Sequence, residues 1–137
     1  MLDLILCVDD DPITLMLCKK VIIKKSFSNN IDSAKNGEEA LQYFDSIINE
    51  GGKEVPQLVF LDLNMPVMDG WDFLNSFNTE KYAKVSTKVV VLSSTIDPED
   101  HEKSKQYPMV IDFLPKPITT EILSYLQEKL ENQQQPL

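Results

Sequence analysis

Three features of this sequence predict an α/β fold built on a doubly wound, five-stranded parallel sheet. Five short runs rich in Val, Ile and Leu recur along the chain, at roughly residues 2–8, 30–34, 57–62, 88–92 and 109–113. The stretches between them carry helical periodicity, the pattern of parallel strands covered on both faces by crossover helices. Four of the five runs lead into polar or charged residues at their carboxyl ends. That is the edge at which open parallel sheets bind ligands.

Taken in order, the first run, Leu4-Ile5-Leu6-Cys7-Val8, ends in Asp9-Asp10-Asp11-Pro12. Asp11 before Pro12 reads as a helix N-cap followed by a first-turn proline. Asn36-Gly37 marks a turn, after which Glu38 to Ile48 places Ala40, Leu41, Phe44, Ile47 and Ile48 on one helical face. The segment from Asn49 to Pro56, with Gly51-Gly52 inside it, reads as a mobile connection away from any site. The third run closes on Val59-Phe60-Leu61-Asp62. Asp69 is then a turn residue or cap, and Trp71, Phe73, Leu74 and Phe77 form core and helix surface. Ser93-Ser94 ends the fourth run. Pro98-Glu99-Asp100-His101-Glu102-Lys103 is a polar helical start that puts His101 on a solvated face. Beyond Pro117, the stripe Ile118, Ile122, Leu123, Leu126 and Leu130 belongs to a last helix capped by Thr119 or Thr120.

At 137 residues the chain has the length of one domain, with a single core and no room for a separate output domain. A 42% hydrophobic and 26% charged composition excludes disorder, collagen and disulfide scaffolds. The net charge of -9 repels phosphate backbones, so direct nucleic-acid binding is not expected, and cations or basic protein surfaces are favoured. Cys7 and Cys18 lack metal-ligand spacing and read as buried, reduced thiols. The N-terminal apolar run is too short to span a membrane and lacks the marks of a signal peptide, so a cytoplasmic location is expected.

Asp9 and Asp10 have no structural explanation of the kind Asp11 has. Two like charges ~4 Å apart at an effective dielectric of ~20 repel by on the order of 4 kcal/mol. A positive group belongs between them. If the first and third strands are neighbours, Asp62 joins them at the same edge, and three carboxylates suit Mg²⁺, a hard ion that retains waters and accepts phosphate oxygens. Ser93 brings a hydroxyl and Lys116 an ammonium to the same edge, each able to meet a phosphoryl oxygen. The constellation reads as a metal-assisted phosphoryl acceptor.

These residues resemble the receiver domains of two-component response regulators, of the stand-alone chemotaxis-regulator kind. The resemblance rests on Leu4 to Pro12, on Asn36-Gly37-Glu38-Glu39-Ala40-Leu41, on Leu61-Asp62-Leu63-Asn64-Met65-Pro66-Val67-Met68-Asp69-Gly70, and on Ser93 and Lys116-Pro117. It implies a flavodoxin-like sheet of order 2-1-3-4-5 and a receiver domain over 1–131, while the polar composition of residues 132–137 reads as a disordered tail. By the same resemblance Asp62 is the phosphoacceptor and Asp9 and Asp10 bind Mg²⁺ with it. Asn64 adds a backbone carbonyl to the metal, Ser93 is the switch hydroxyl, Lys116 the catalytic lysine before a cis peptide bond, and Phe113 the switch aromatic. The implied partners are a histidine kinase or histidine phosphotransfer protein and a downstream target protein. The chain would be a phosphorelay switch that catalyses its own phosphorylation and dephosphorylation and has no other enzymatic activity.

Three positions depart from the family pattern. Phe113 lacks the hydroxyl of the commoner tyrosine, so ring packing alone must report the state. Pro115 is unusual before Lys116, and the Gly51-Gly52 loop lengthens the gap before Asp62. A haloacid-dehalogenase-type phosphohydrolase uses similar groups, but Asp9-Asp10-Asp11-Pro12-Ile13 fails that signature at its last place. A docking-only pseudo-receiver is disfavoured because Asp9, Asp10, Asp62, Ser93 and Lys116 are all present.

Overall fold

The computed structural model describes residues 2–51, 53–95 and 97–134. In chain order the elements are β1 (Ile5–Val8), α1 (Pro12–Lys24), β2 (Ile31–Ala34), α2 (Gly37–Glu50), β3 (Leu58–Asp62), α3 (Gly70–Phe77), β4 (Lys88–Ser93), α4 (Pro98–Ser104), β5 (Val110–Pro115) and α5 (Thr120–Gln134). Every strand pair is parallel, and the order is β2-β1-β3-β4-β5. The predicted doubly wound, flavodoxin-like sheet is therefore present.

Alternation along the strands divides the core into two layers. Leu6, Val8, Val59, Leu61, Val89 and Val91 face Phe44 of α2 and Phe73, Leu74 and Phe77 of α3. The intervening residues Ile5, Cys7, Leu58, Phe60, Val90 and Leu92 face Cys18 and Ile22 of α1 and Leu123 and Leu126 of α5. Burial on both sides is why the strand runs read as continuously apolar. Burial also makes both thiols poor nucleophiles, pushing Cys18 up to about 11 and Cys7 further.

The helix starts follow their capping residues. Asp11 accepts from the Ile13 amide with Pro12 in the first turn, and Asn36 accepts from Glu39. Asp69 accepts from Asp72, and Thr119 rather than Thr120 caps α5 through the Ile122 amide. Each satisfies an amide that has no partner within its helix.

Strand and helix limits differ most from expectation at β1, β5 and α5. β1 begins at Ile5 because the Asp3 amide turns to the Gln57 side chain, leaving Leu2 in an isolated bridge to Ser28. β5 continues to Pro115, which an edge strand tolerates because one side needs no amide donor. α5 runs to Gln134, past the expected start of a tail at 132, since glutamines support a helix. Residues 135–137 of that expected tail lie outside the described residues. Among the described residues no helix is long and apolar enough to cross a membrane.

Candidate functional site

Strand register brings the predicted residues together. Val8 of β1 pairs with Leu61 of β3, so the next residues, Asp9 and Asp62, end adjacent strands side by side. One strand further, Asp62 pairs with Leu92 and Ser93 follows; Ser93 in turn pairs with Pro115 and Lys116 follows. The Lys116 amide donates to the Ser93 carbonyl at 2.9 Å, tying the last two positions together. The Lys116-Pro117 bond is cis, as expected. Carboxylate oxygens of Asp9, Asp10 and Asp62 all lie within 4.8 Å of one another.

Asp9 and Asp62 are buried, whereas Asp10 is exposed. The Lys116 ammonium sits 2.6 Å from Asp9 Oδ2 and 3.3 Å from Asp62 Oδ1. One cation therefore serves two buried carboxylates. Burial has the largest influence on Asp62 and pushes its carboxyl above the ordinary value; Lys116 pulls it down and the Asp9 charge pushes it up again. Lys116 itself is raised: burial disfavours its charge, but the hydrogen bond it donates to Asp9 and the charge of Asp62 outweigh that. Three carboxylates that together exceed their local positive charge, all with oxygen donors, fit a divalent cation such as Mg²⁺.

The loop after Asp62 is shaped by close backbone approaches that the sequence reading missed. A Cβ on Gly70 would lie 2.6 Å from the Asp62 carbonyl oxygen, and the Gly70 amide donates to the Leu63 carbonyl at 3.0 Å. A Cβ on Gly37 would lie 2.8 Å from Met68 Cγ, and the Gly37 amide donates to the Met68 carbonyl at 2.8 Å. Asn-Gly and Asp-Gly are visible as turn signals, but the crowding is not. Gly70→Ala is expected to lose about 2–3 kcal/mol in a denaturant titration, because backbone at the end of β3 must move. Between the two glycines, Met68 N–H donates to the Pro66 carbonyl at 2.8 Å, closing a γ-turn on Val67 at φ 68°. Val67 is 79% exposed, so no packing offsets that conformation. Val67→Gly is expected to raise stability by about 1 kcal/mol, strain relief exceeding the added chain entropy. Thermal unfolding measures it.

Not every predicted residue converges. The Ser93 hydroxyl donates to the Thr95 carbonyl at 2.6 Å and does not hydrogen-bond Asp62. The Asn64 amide lies 3.4 Å from Asp62 Oδ1. Phe113 is buried in the α2–α3 layer and stacks on His101 of α4, with ring centroids 5.5 Å apart. His101 is exposed, as expected, but one face of its ring is in use. Ile13, Met16 and Leu17 of α1 are exposed despite being apolar, a helical stripe that the sequence reading did not single out.

A family model described as the response regulator receiver domain matches residues 5–127. This chain belongs to that family. The receiver is 27% identical over 128 residues to the probable methanogenesis regulatory protein FilR2 of Methanothrix harundinacea, covering 93% of this chain and 81% of that protein. It is 31% identical to the alkaline phosphatase synthesis transcriptional regulatory protein SphR of Synechococcus elongatus, covering 85% of this chain but 44% of that protein. Among solved structures, a two-component response regulator from Cytophaga hutchinsonii superposes with a TM-score of 0.84 at 29% identity, covering 96% of this chain and 98% of that one. The receiver fold and its place in two-component signalling follow, with histidine kinase input and a downstream target.

Proposed function

We propose that this receiver is a cytoplasmic phosphorelay switch, phosphorylated on Asp62 by a histidine kinase or histidine phosphotransfer protein with Mg²⁺ bound. The observation that carries the reading is the Lys116 ammonium set between Asp9 and Asp62 beside a third carboxylate. Asp9, Asp10 and Asp62 would hold the cation, with the Asn64 carbonyl as a further oxygen. When bound, Mg²⁺ neutralises charge on the transferring phosphoryl oxygens.

Asp62 supplies the attacking carboxylate oxygen: its bond to phosphorus forms as the phosphorus–nitrogen bond of the donor histidine breaks, the electron pair staying on the imidazole. Strand register and the Gly70 contact hold that carboxylate in place for in-line attack. Lys116 leaves Asp9 for a phosphoryl oxygen, and the Ser93 hydroxyl exchanges the Thr95 carbonyl for another. Hydrolysis of the acyl phosphate resets the site. The exposed stripe of Ile13, Met16 and Leu17 adjoins an apolar cleft of Leu17, Cys18, Leu92, Pro117 and Ile118 that opens beside Lys116. Its continuity with the phosphoacceptor suits it to the donor protein, and the face around Phe113 and α5 suits the target.

Incubation with acetyl phosphate and Mg²⁺, followed by intact mass measurement, tests the reading. A single added phosphoryl group, lost in EDTA and in Asp62→Asn, is expected. An unlabelled native protein, or equal labelling of the variant, overturns it.

A further inference from the structure

Helix α4 has an unusual composition for a packed element. Its sequence, Pro98-Glu99-Asp100-His101-Glu102-Lys103-Ser104, contains no Val, Ile, Leu, Met or carbocyclic side chain, Pro98 is exposed, and Ser104 is its one buried residue. The Ser104 hydroxyl is spent on the His101 carbonyl within the same helix. Hydrophobic burial, which anchors the other helices, cannot anchor this one.

Two side-chain contacts take its place. The His101 ring lies nearly parallel to Phe113 of β5, at 5.5 Å and 21°. The Lys103 ammonium stands 4.4 Å from the centre of the Trp71 ring on α3. Trp71 also packs on Tyr107 at 6.0 Å, and the Tyr107 hydroxyl donates to Asn75 at 2.7 Å, which secures the segment after α4 to α3. The segment before it is secured by the bond from the Ser93 hydroxyl to the Thr95 carbonyl.

We propose that α4 is a detachable cover fastened by two positioning residues, His101 on Phe113 and Lys103 on Trp71, whose contacts set the resting balance of the switch. The inference rests on the phosphoacceptor reading of Asp62 and deepens it. When the Ser93 hydroxyl leaves Thr95 for a phosphoryl oxygen, the leading loop loses its tie, and the two ring contacts then hold the helix itself against release while Tyr107 anchors the segment after it. Departure of α4 bares the faces of Phe113 and Trp71, one on β5 and one on α3. Phe113 has no hydroxyl, so the ring on its outer face reports the state in place of a hydrogen bond. Each contact of these kinds shifts a two-state equilibrium roughly two- to tenfold.

Hydrogen exchange of residues 97–107, read by mass spectrometry, tests this together with the emission of Trp71, the lone tryptophan. In unphosphorylated protein, His101→Ala combined with Lys103→Ala is expected to speed exchange about tenfold or more, although alanine raises helix propensity. His101→Phe, which keeps a ring, is expected to retain native protection. Native protein with Mg²⁺ and beryllofluoride is expected to match the double variant and to shift its Trp71 emission. Native-like protection in the double variant overturns the fastening. Unchanged exchange on beryllofluoride addition, in protein whose Asp62 accepts phosphate, overturns its coupling to the switch. Failure of Asp62 to label defeats the phosphoacceptor reading instead, while the comparison of unphosphorylated proteins still decides whether the two side chains hold α4.

Discussion

Lys116→Met is expected to lower stability by about 3 kcal/mol at neutral pH and to remove acetyl-phosphate labelling of Asp62. The ammonium is the shared partner of Asp9 and Asp62, whose side chains are each 8% exposed. Methionine preserves the apolar stem and deletes only the charge. Two ionised carboxylates then remain buried side by side with no cation between them, and leaving buried charges uncompensated is among the larger single-residue penalties known. The 19% exposure of Lys116 admits some water, which sets the expectation at the lower end of the range for such losses. Saturating Mg²⁺ is expected to restore more stability to the variant than it adds to the native protein, because the cation replaces the missing charge. Thermal unfolding with and without EDTA measures both terms. Equal Mg²⁺ responses in the two proteins would mean that the carboxylates do not share one site.

The second prediction has the opposite sign at a neighbouring atom. Asp62→Asn is expected to abolish labelling completely and yet to raise Tm by a few degrees in EDTA. Burial holds the Asp62 carboxyl above its ordinary 3.8 against the pull of Lys116, so its ionised form is the one disfavoured by the fold. The native state then binds protons more tightly than the unfolded chain, and ionisation of Asp62 subtracts stability as pH rises through the raised value. Asparagine removes that loss and leaves Lys116 to Asp9 alone. The gain is therefore expected at neutral pH and should disappear below the unfolded value of 3.8. A variant less stable than the native protein at neutral pH in EDTA would show that the Lys116 pairing outweighs burial at this carboxyl. If Asp62 is the proposed phosphoacceptor, function and stability are in opposition here, because the attacking carboxylate must stay charged where burial favours the neutral form.

Much of this site was readable from strand-end residues alone. Asp9 and Asp62 follow apolar runs that the sheet pairs in register, so their meeting needed only the order of strands. Asp11, Asn36 and Asp69 cap the helices their positions suggested, since capping is decided within three or four residues. The Ser93 hydroxyl was harder to place. Its presence at the rim is local, but its turn toward the Thr95 carbonyl is a rotamer chosen by the loop around it. His101 shows the same division: a polar helix put it near solvent, while the partner of its ring, Phe113, lies twelve positions away on another element.

Strand and helix type, the two-sided burial of the central strands and the placing of an acid at the end of each of two strands were determined by the sequence itself, because periodicity and capping act over one or two turns of chain. The tertiary structure alone decided that one ammonium serves two carboxylates, that there is no room for a Cβ at Gly70 beside the Asp62 carbonyl, and that α4 sets His101 on Phe113 and Lys103 over Trp71. Those outcomes depend on register, rotamer and the distance between elements remote in sequence, and no local pattern of residues encodes any of the three.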